Sequence, residues 1–241
     1  MAYEELEFVS AMLTKFKRKI MIIVGVVIAG SIVTFPFTDL LINKIKLDLL
    51  PEGAKIIYLT PLEVLILKLK ISIALGVLIA LPLIIFEGYK ILRERFPRMK
   101  LKNLRKSSIA LSGISAVLLF ILGVIYTYFL MLPIFFKYLY EDAASIGVEA
   151  TFSILEFVNF VLICCILFGL VFEMPIFITM LVRLGVVDRS TLKYYRRHAY
   201  LLIVIAATWV TPGVDIISPI LLTFPMIFFY EFSILITKFT A

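Results

Sequence analysis

Glu173 stands in Phe172-Glu173-Met174-Pro175, well inside an apolar run from Phe157 to Leu184, with no basic residue within a helical turn. A carboxylate at the centre of a bilayer costs about 2.5–3.5 kcal/mol on insertion scales, so it faces protein or a water-filled cavity. Its chemistry is that of an intramembrane polar or proton-carrying group, or of a protonated carboxyl that braces a neighbouring helix. Glu63 and Asp215 stand at the outer edges of other apolar runs, where each is either a functional polar group or a helix-terminal charge held by the macrodipole. Glu231 lies near the inner end of the last run, where snorkelling or pairing with Lys238 is expected. His198, beside Arg196 and Arg197, reads as a solvated interface residue rather than a catalytic base. Cys164 and Cys165 are adjacent, which rules out an ordinary disulfide and gives no metal-ligand spacing; they read as small apolar fillers. The chain has no GxxxxGK[ST], HExxH, GxSxG or Gly-rich dinucleotide turn. An enzyme, a cofactor and a metal site are therefore not expected.

The elements that position these acids are membrane spans. The 241 residues are 62% hydrophobic, with a mean hydropathy of +1.08 and a pI near 9.3, whereas soluble domains are about 45–50% apolar. A net charge of +7 does not point to nucleic acid, because the basic residues collect in short clusters between apolar runs and so orient a membrane protein. The fold class is an all-α, polytopic membrane domain over residues 1–241. Six spans are predicted: Ile20–Phe37, Val64–Ile91, Ile109–Leu132, Phe157–Leu184, Ala199–Val210 and Ile216–Ile236. The first follows Lys15, Lys17, Arg18 and Lys19, lacks an A-x-A cleavage site, and is expected to remain in the mature protein.

Thr38 to Glu63, with Pro51, Gly53 and Pro61, reads as an ordered external loop. Lys68 and Lys70 are expected to snorkel to the outer interface. Lys90 to Lys106 and Arg183 to Arg197 are strongly basic, whereas Glu141, Asp142, Glu149 and Glu156 make the loop between them acidic. The positive-inside rule then places both termini in the cytoplasm. Pro133 is expected to end the third span. The Thr211-Pro212-Gly213-Val214-Asp215 turn splits the last apolar stretch into two short helices, the fifth only about 18 Å long. That is less than a hydrocarbon core of about 30 Å, so the membrane thins there or other protein covers the turn.

Several of these segments resemble the TatC family, the multi-spanning receptor component of twin-arginine protein translocases. Leu122-Gly123-Val124-Ile125-Tyr126-Thr127-Tyr128-Phe129 followed by Leu132-Pro133 is similar to the family's L-G-x-x-F-x-Y-F…L-P segment. Phe168-Gly169-Leu170-Val171-Phe172-Glu173-Met174-Pro175, with Leu184-Gly185-Val186 beyond it, is the most specific match. Thr60-Pro61-Leu62-Glu63 with Lys70 resembles the outer S/T-P-x-E…K segment. Thr211-Pro212 with Asp215, Ser218 and Pro225 resembles the outer turn and sixth span, and Arg196 matches the basic residue that opens the fifth.

The resemblance implies six helices with cytoplasmic termini in a prokaryotic plasma membrane, and recognition of signal peptides of folded exported proteins. It implies oligomeric assembly with single-span partners of the TatA and TatB type, transport driven by the proton-motive force, and Glu173 as the intramembrane polar group. It also exposes departures. Lys15 and Arg105 stand where the family carries the two cytoplasmic acids that pair with a signal peptide's arginines, and like charges about 4 Å apart repel by roughly 1–4 kcal/mol. Glu4, Glu5, Glu7 or Glu94 then become the substitute acids, and Glu87 takes the place of a family glutamine. The expected cytoplasmic signal-peptide surface thus contains Lys15, Glu87, Glu94 and Arg105. The alternatives are a small-solute or ion secondary transporter using Glu173, or a TatC-like scaffold without twin-arginine recognition.

Overall fold

A computed structural model of the chain describes residues 2–95, 106–145, 147–183, 185–211 and 217–240. Helix α1 (Ala2–Thr34) carries the basic cluster into the first apolar run. Near its end Ser31 donates to the Val27 carbonyl at 2.7 Å and Thr34 to that of Gly30 at 2.9 Å, so these hydroxyls are satisfied within their own helix. Pro36 tightens the chain into a single 3₁₀ turn, Phe35–Phe37. The segment expected as a loop then opens with helix α2 (Thr38–Leu49), which buries Ile42, Ile45 and Leu49 at helical spacing. Asp39 in its first turn and Lys46 in its last both suit the helix dipole.

Strand β1 (Lys55–Ile57) pairs in parallel with β2 (Thr151–Ser153), with Ile56 opposite Phe152. This ladder joins two segments nearly a hundred residues apart, and Lys55 Nζ adds a 2.7 Å ion pair to Glu149. Gly53, at φ +96°, makes the preceding turn; a Cβ there would lie 2.6 Å from the Tyr140 hydroxyl. Beneath the strands Phe135, Phe136, Phe157 and Phe160 form an aromatic cluster, with the Phe136 and Phe157 centroids 4.4 Å apart. The strand-bearing side is the capped end of the bundle; the opposite side, where Lys and Arg collect, is the basic end.

Helix α3 (Glu63–Arg95) returns to the basic end, and α4 (Lys106–Tyr126) rises again. The helix does not stop at Pro133. A wide π turn, Thr127–Met131, absorbs the missing N–H and the ring's clash with the preceding turn, and α5 (Leu132–Ser145) continues beyond it. Helix α6 (Ile154–Arg183) descends to a Gly185 cap at φ +69°. There Gly185 N bonds the Val182 carbonyl at 3.0 Å and Val186 N that of Leu181 at 3.1 Å, a Schellman closure. The short α7 (Arg189–Tyr194), α8 (Arg196–Val210) and α9 (Ile217–Thr240) complete the chain.

Among the described residues, five helical stretches are long and apolar enough to cross a membrane. Helix α8 is the sixth apolar segment, but its 15 residues reach only about 22 Å. Helix α9, expected to be short as well, has 24 residues and a length of about 36 Å. The chain is thus an all-α, multi-pass membrane protein. Its outward faces are apolar, with Trp209 92% and Phe224 76% exposed, as suits lipid contact.

Helix α6 is the hub, lying against α3, α4 and α9. Glycines set the closest approaches, since small residues let helix backbones meet where lipid supplies no hydrophobic drive. A Cβ on Gly30 would lie 3.2 Å from the Gly76 Cα, and one on Gly123 only 2.7 Å from the Phe168 carbonyl oxygen and 2.9 Å from the Gly169 Cα. Gly123→Ala must push α4 off α6 and is expected to lower stability by about 1–3 kcal/mol, measured by SDS-induced unfolding in mixed micelles. Gly25→Ala, with nothing within 4 Å of the added methyl, is expected to gain up to about 1 kcal/mol from helix propensity.

Candidate functional site

Glu173 lies in the half of α6 nearer the basic end, two residues before Pro175. Pro175 has no N–H to give the Val171 carbonyl, so the backbone beside the acid is already short of one bond. The Oε1 atom of Glu173 is enclosed and has no hydrogen-bond partner among the described residues. Gly169, one turn toward the capped end, is covered by the Phe120 ring of α4, which a Cβ would meet at 2.5–2.8 Å. On the other flank Leu170 is 56% and Phe177 62% exposed. The carboxyl therefore sits at the seam between the face of α6 that α4 covers and the face open to lipid.

A tilted ring contact and polar pairs between helices set the depth of this seam. Phe172 meets Phe229 of α9 with centroids 4.0 Å apart. Two residues further along α9, Glu231 accepts from Arg196 of α8 at 2.8 Å and from the Tyr200 hydroxyl. Tyr230 donates to the Leu192 carbonyl of α7 at 3.1 Å. Residues 173, 192, 196 and 231 thus share one level to within about a helical turn, while α6 and α9 continue toward the basic end by about 14 Å more. The α7–α8 turn is a shelf set back into the bundle, level with Glu173.

The other site acids among the described residues, Glu63, Glu87 and Glu231, have partners. Glu63, 4% exposed, accepts from the Leu59 and Thr60 amides at 3.3 and 3.1 Å, while its own N–H bonds the Thr60 carbonyl at 3.2 Å. Its carboxylate closes the Thr60-Pro61-Leu62-Glu63 turn and caps α3. Glu87 pairs with Lys19 at 3.3 Å, tying α3 to α1. Glu231 bonds across the α8–α9 pair instead of to Lys238, which lies about 10 Å further along its own helix, beyond the i+3 and i+4 neighbours a side chain meets. Asp215 and Arg105 lie outside the described residues, as do the side chains of Lys15 and Glu94. Cys164 and Cys165 are free thiols, the former buried. His198 is exposed, its ring centroid 5.4 Å from that of Tyr195. Among the described residues no three His, Cys, Asp or Glu side chains gather in a metal-binding group.

Several inter-helix polar bonds escaped sequence reasoning. Lys68, expected at the interface, pairs with Asp39 at 2.8 Å, Lys70 donates to Asn159 of α6 at 2.9 Å, and Tyr128 donates to Asp48 at 2.6 Å. Only the Arg196/Tyr200 spacing of i and i+4 carried a signal, since it places both donors on one face of α8.

A model of the family described as Sec-independent protein translocase protein (TatC) matches residues 11–225. The chain belongs to the TatC family. A TatC of Carboxydothermus hydrogenoformans is 30% identical over 223 residues, covering 92% of this chain and 89% of the relative. One of Aquifex aeolicus is 28% identical, covering 94% and 92%. A crystal structure of the twin-arginine translocase receptor TatC superposes with a TM-score of 0.84 at 26% identity, over 95% of this chain and 98% of that one. The match to the TatC family includes Glu63, Glu87, Glu173 and Arg196 and ends before Glu231.

The Arg196–Glu231 pair locks this TatC's short α8 to α9 near the basic end. Its side chains are 39% and 34% exposed, so solvent screening limits its strength. A double-mutant cycle of Arg196→Gln and Glu231→Gln in SDS unfolding is expected to give a coupling of about 0.5–1 kcal/mol. Strict additivity contradicts the lock.

Proposed function

We propose that this TatC is the signal-peptide receptor of a twin-arginine translocase in a prokaryotic plasma membrane, with both termini in the cytoplasm. It binds signal peptides of folded proteins on its basic side, assembles as an oligomer with single-span TatA- and TatB-type partners, and exports cargo using the proton-motive force. The observation that carries this reading is the unpartnered Glu173 carboxyl at the lipid-facing seam of α6. Oε1 is enclosed, but the side chain as a whole is half-buried, so its open part at the seam is available to a helix arriving from the bilayer, either the apolar part of a signal peptide or a partner's span. Support for the orientation comes from the basic clusters around Lys15–Lys19, Lys90–Lys106 and Arg183–Arg197.

A solute transporter needs polar groups along an aqueous path. Here the hydroxyls of Ser72, Thr127, Thr223, Ser233 and Thr237 all donate to carbonyls of their own helices. They are spent on local bonds, which favours a helix-docking role for Glu173 over solute conduction.

Glu173→Gln removes the acid while keeping its size. With insertion preserved, export of a folded twin-arginine cargo is expected to fall roughly 10–100-fold, the worth of a hydrogen bond to a charged group. Wild-type export by this variant contradicts the assignment. For the departures at Lys15 and Arg105, photocrosslinkers at both positions are expected to miss the arginine pair of a bound signal peptide while export continues. Strong capture at both sites places the pair in the family's usual pocket despite the basic residues.

A further inference from the structure

The α7–α8 shelf carries Arg189, Lys193, Arg196 and Arg197 against one neighbouring acid, Asp188. Among the described residues only Arg196 pairs with a carboxylate, that of Glu231. Arg189, Lys193 and Arg197 have no carboxylate partner among the described residues, and the Nε atoms of Arg189 and Arg196 are enclosed without an acceptor. These cations do not sit where the longer helices end. The bonds from Arg196 to Glu231 and from Tyr230 to the Leu192 carbonyl hold the shelf about 14 Å short of the end of α9.

An anion beside the enclosed Arg189 Nε would supply the acceptor it lacks and offset the neighbouring positive charge, since a buried donor without an acceptor costs about 1–3 kcal/mol. Immediately along α8, Leu201, Leu202, Val204 and Ile205 are 59%, 67%, 42% and 55% exposed, forming an apolar column that leads from the cations toward the middle of the membrane. Tyr194 and Tyr195, 77% and 51% exposed, flank the charges.

We propose that this shelf binds the phosphate of an anionic phospholipid, held below the ordinary headgroup plane, with its acyl chains laid along α8. The ligand is an amphiphile rather than a free anion because cations and apolar column are continuous. Basic recesses between spanning helices are suited to acidic lipid headgroups, which also respond to local positive charge. The bound lipid supplies acceptors for the orphaned guanidinium N–H groups and carries the leaflet inward to match a helix of 15 residues.

The test is native mass spectrometry of the detergent-purified full chain with short-chain phosphatidylglycerol, phosphatidylcholine or inorganic phosphate. Phosphatidylglycerol is expected to remain bound and phosphatidylcholine to be lost. Lys193→Gln/Arg197→Gln, both at exposed positions, is expected to weaken phosphatidylglycerol binding roughly 25-fold, or about fivefold per charge. Unchanged elution on size exclusion establishes that this variant is folded, and Lys193→Arg/Arg197→Lys is expected to restore binding. Equal retention of the two lipids, undiminished binding by the folded glutamine variant, or displacement of the lipid by inorganic phosphate at equal concentration overturns the proposal.

Discussion

Hydrocarbon gives a polar atom nothing to bond, so every donor and acceptor at membrane depth must find its partner inside the protein or bring one in. Much of this chain is arranged by that constraint. Hydroxyls on α3, the π turn and α9 turn back to carbonyls one turn earlier. Lysines within α3 reach Asp39 and Asn159 on other helices. The π turn before Pro133 lets one helix run on where the proline would otherwise break it. Against this background, the atoms left without partners mark where the protein is made to meet something else.

Like Glu173 Oε1, the enclosed Arg189 Nε and Thr179 hydroxyl are without a partner among the described residues. Glu173 in α6 and Arg196 in α8 lie at similar depth, because the Phe172–Phe229 ring contact and the Arg196–Glu231 pair bring α6, α8 and α9 into register. The short α8 is the cause. It stops well before the ends of α6 and α9, so the polar turn leading into it is drawn toward the middle of the membrane. An acid on the lipid-facing seam and a recessed cationic shelf thus follow from one architectural choice, a spanning helix too short to span. The capped end is built differently: a two-stranded ladder and a phenylalanine cluster close it, and Glu63 is consumed in capping α3.

The helical membrane class and the TatC family could be read from the sequence because long apolar runs and their basic borders are strong, local signals. Glu173 stood out for the same reason, as a lone acid in such a run. What could not be read depends on pairing across distance. The three-residue strands at Lys55 and Thr151 have no pattern of their own and exist only through each other. Helix α2 was hidden because Asp39, Lys44, Lys46 and Asp48 dilute its apolar stripe of Ile42, Ile45 and Leu49. Pro133 reads as a breaker, since no sequence rule announces the π turn that precedes it. The partner of Glu231 was sought on its own helix, whereas Arg196 approaches from the neighbouring one.

The central claim is that the seam beside Glu173 is completed by a helix from outside the chain. Photoreactive side chains at Leu170 and Phe177, the exposed neighbours on its flank, address it directly in membranes containing the full translocase and a twin-arginine cargo. The account predicts cargo- or partner-helix adducts at both positions and none at Ile163, an exposed residue nearer the capped end of the same helix. Lipid adducts alone at Leu170 and Phe177, in membranes that are exporting cargo, would contradict it.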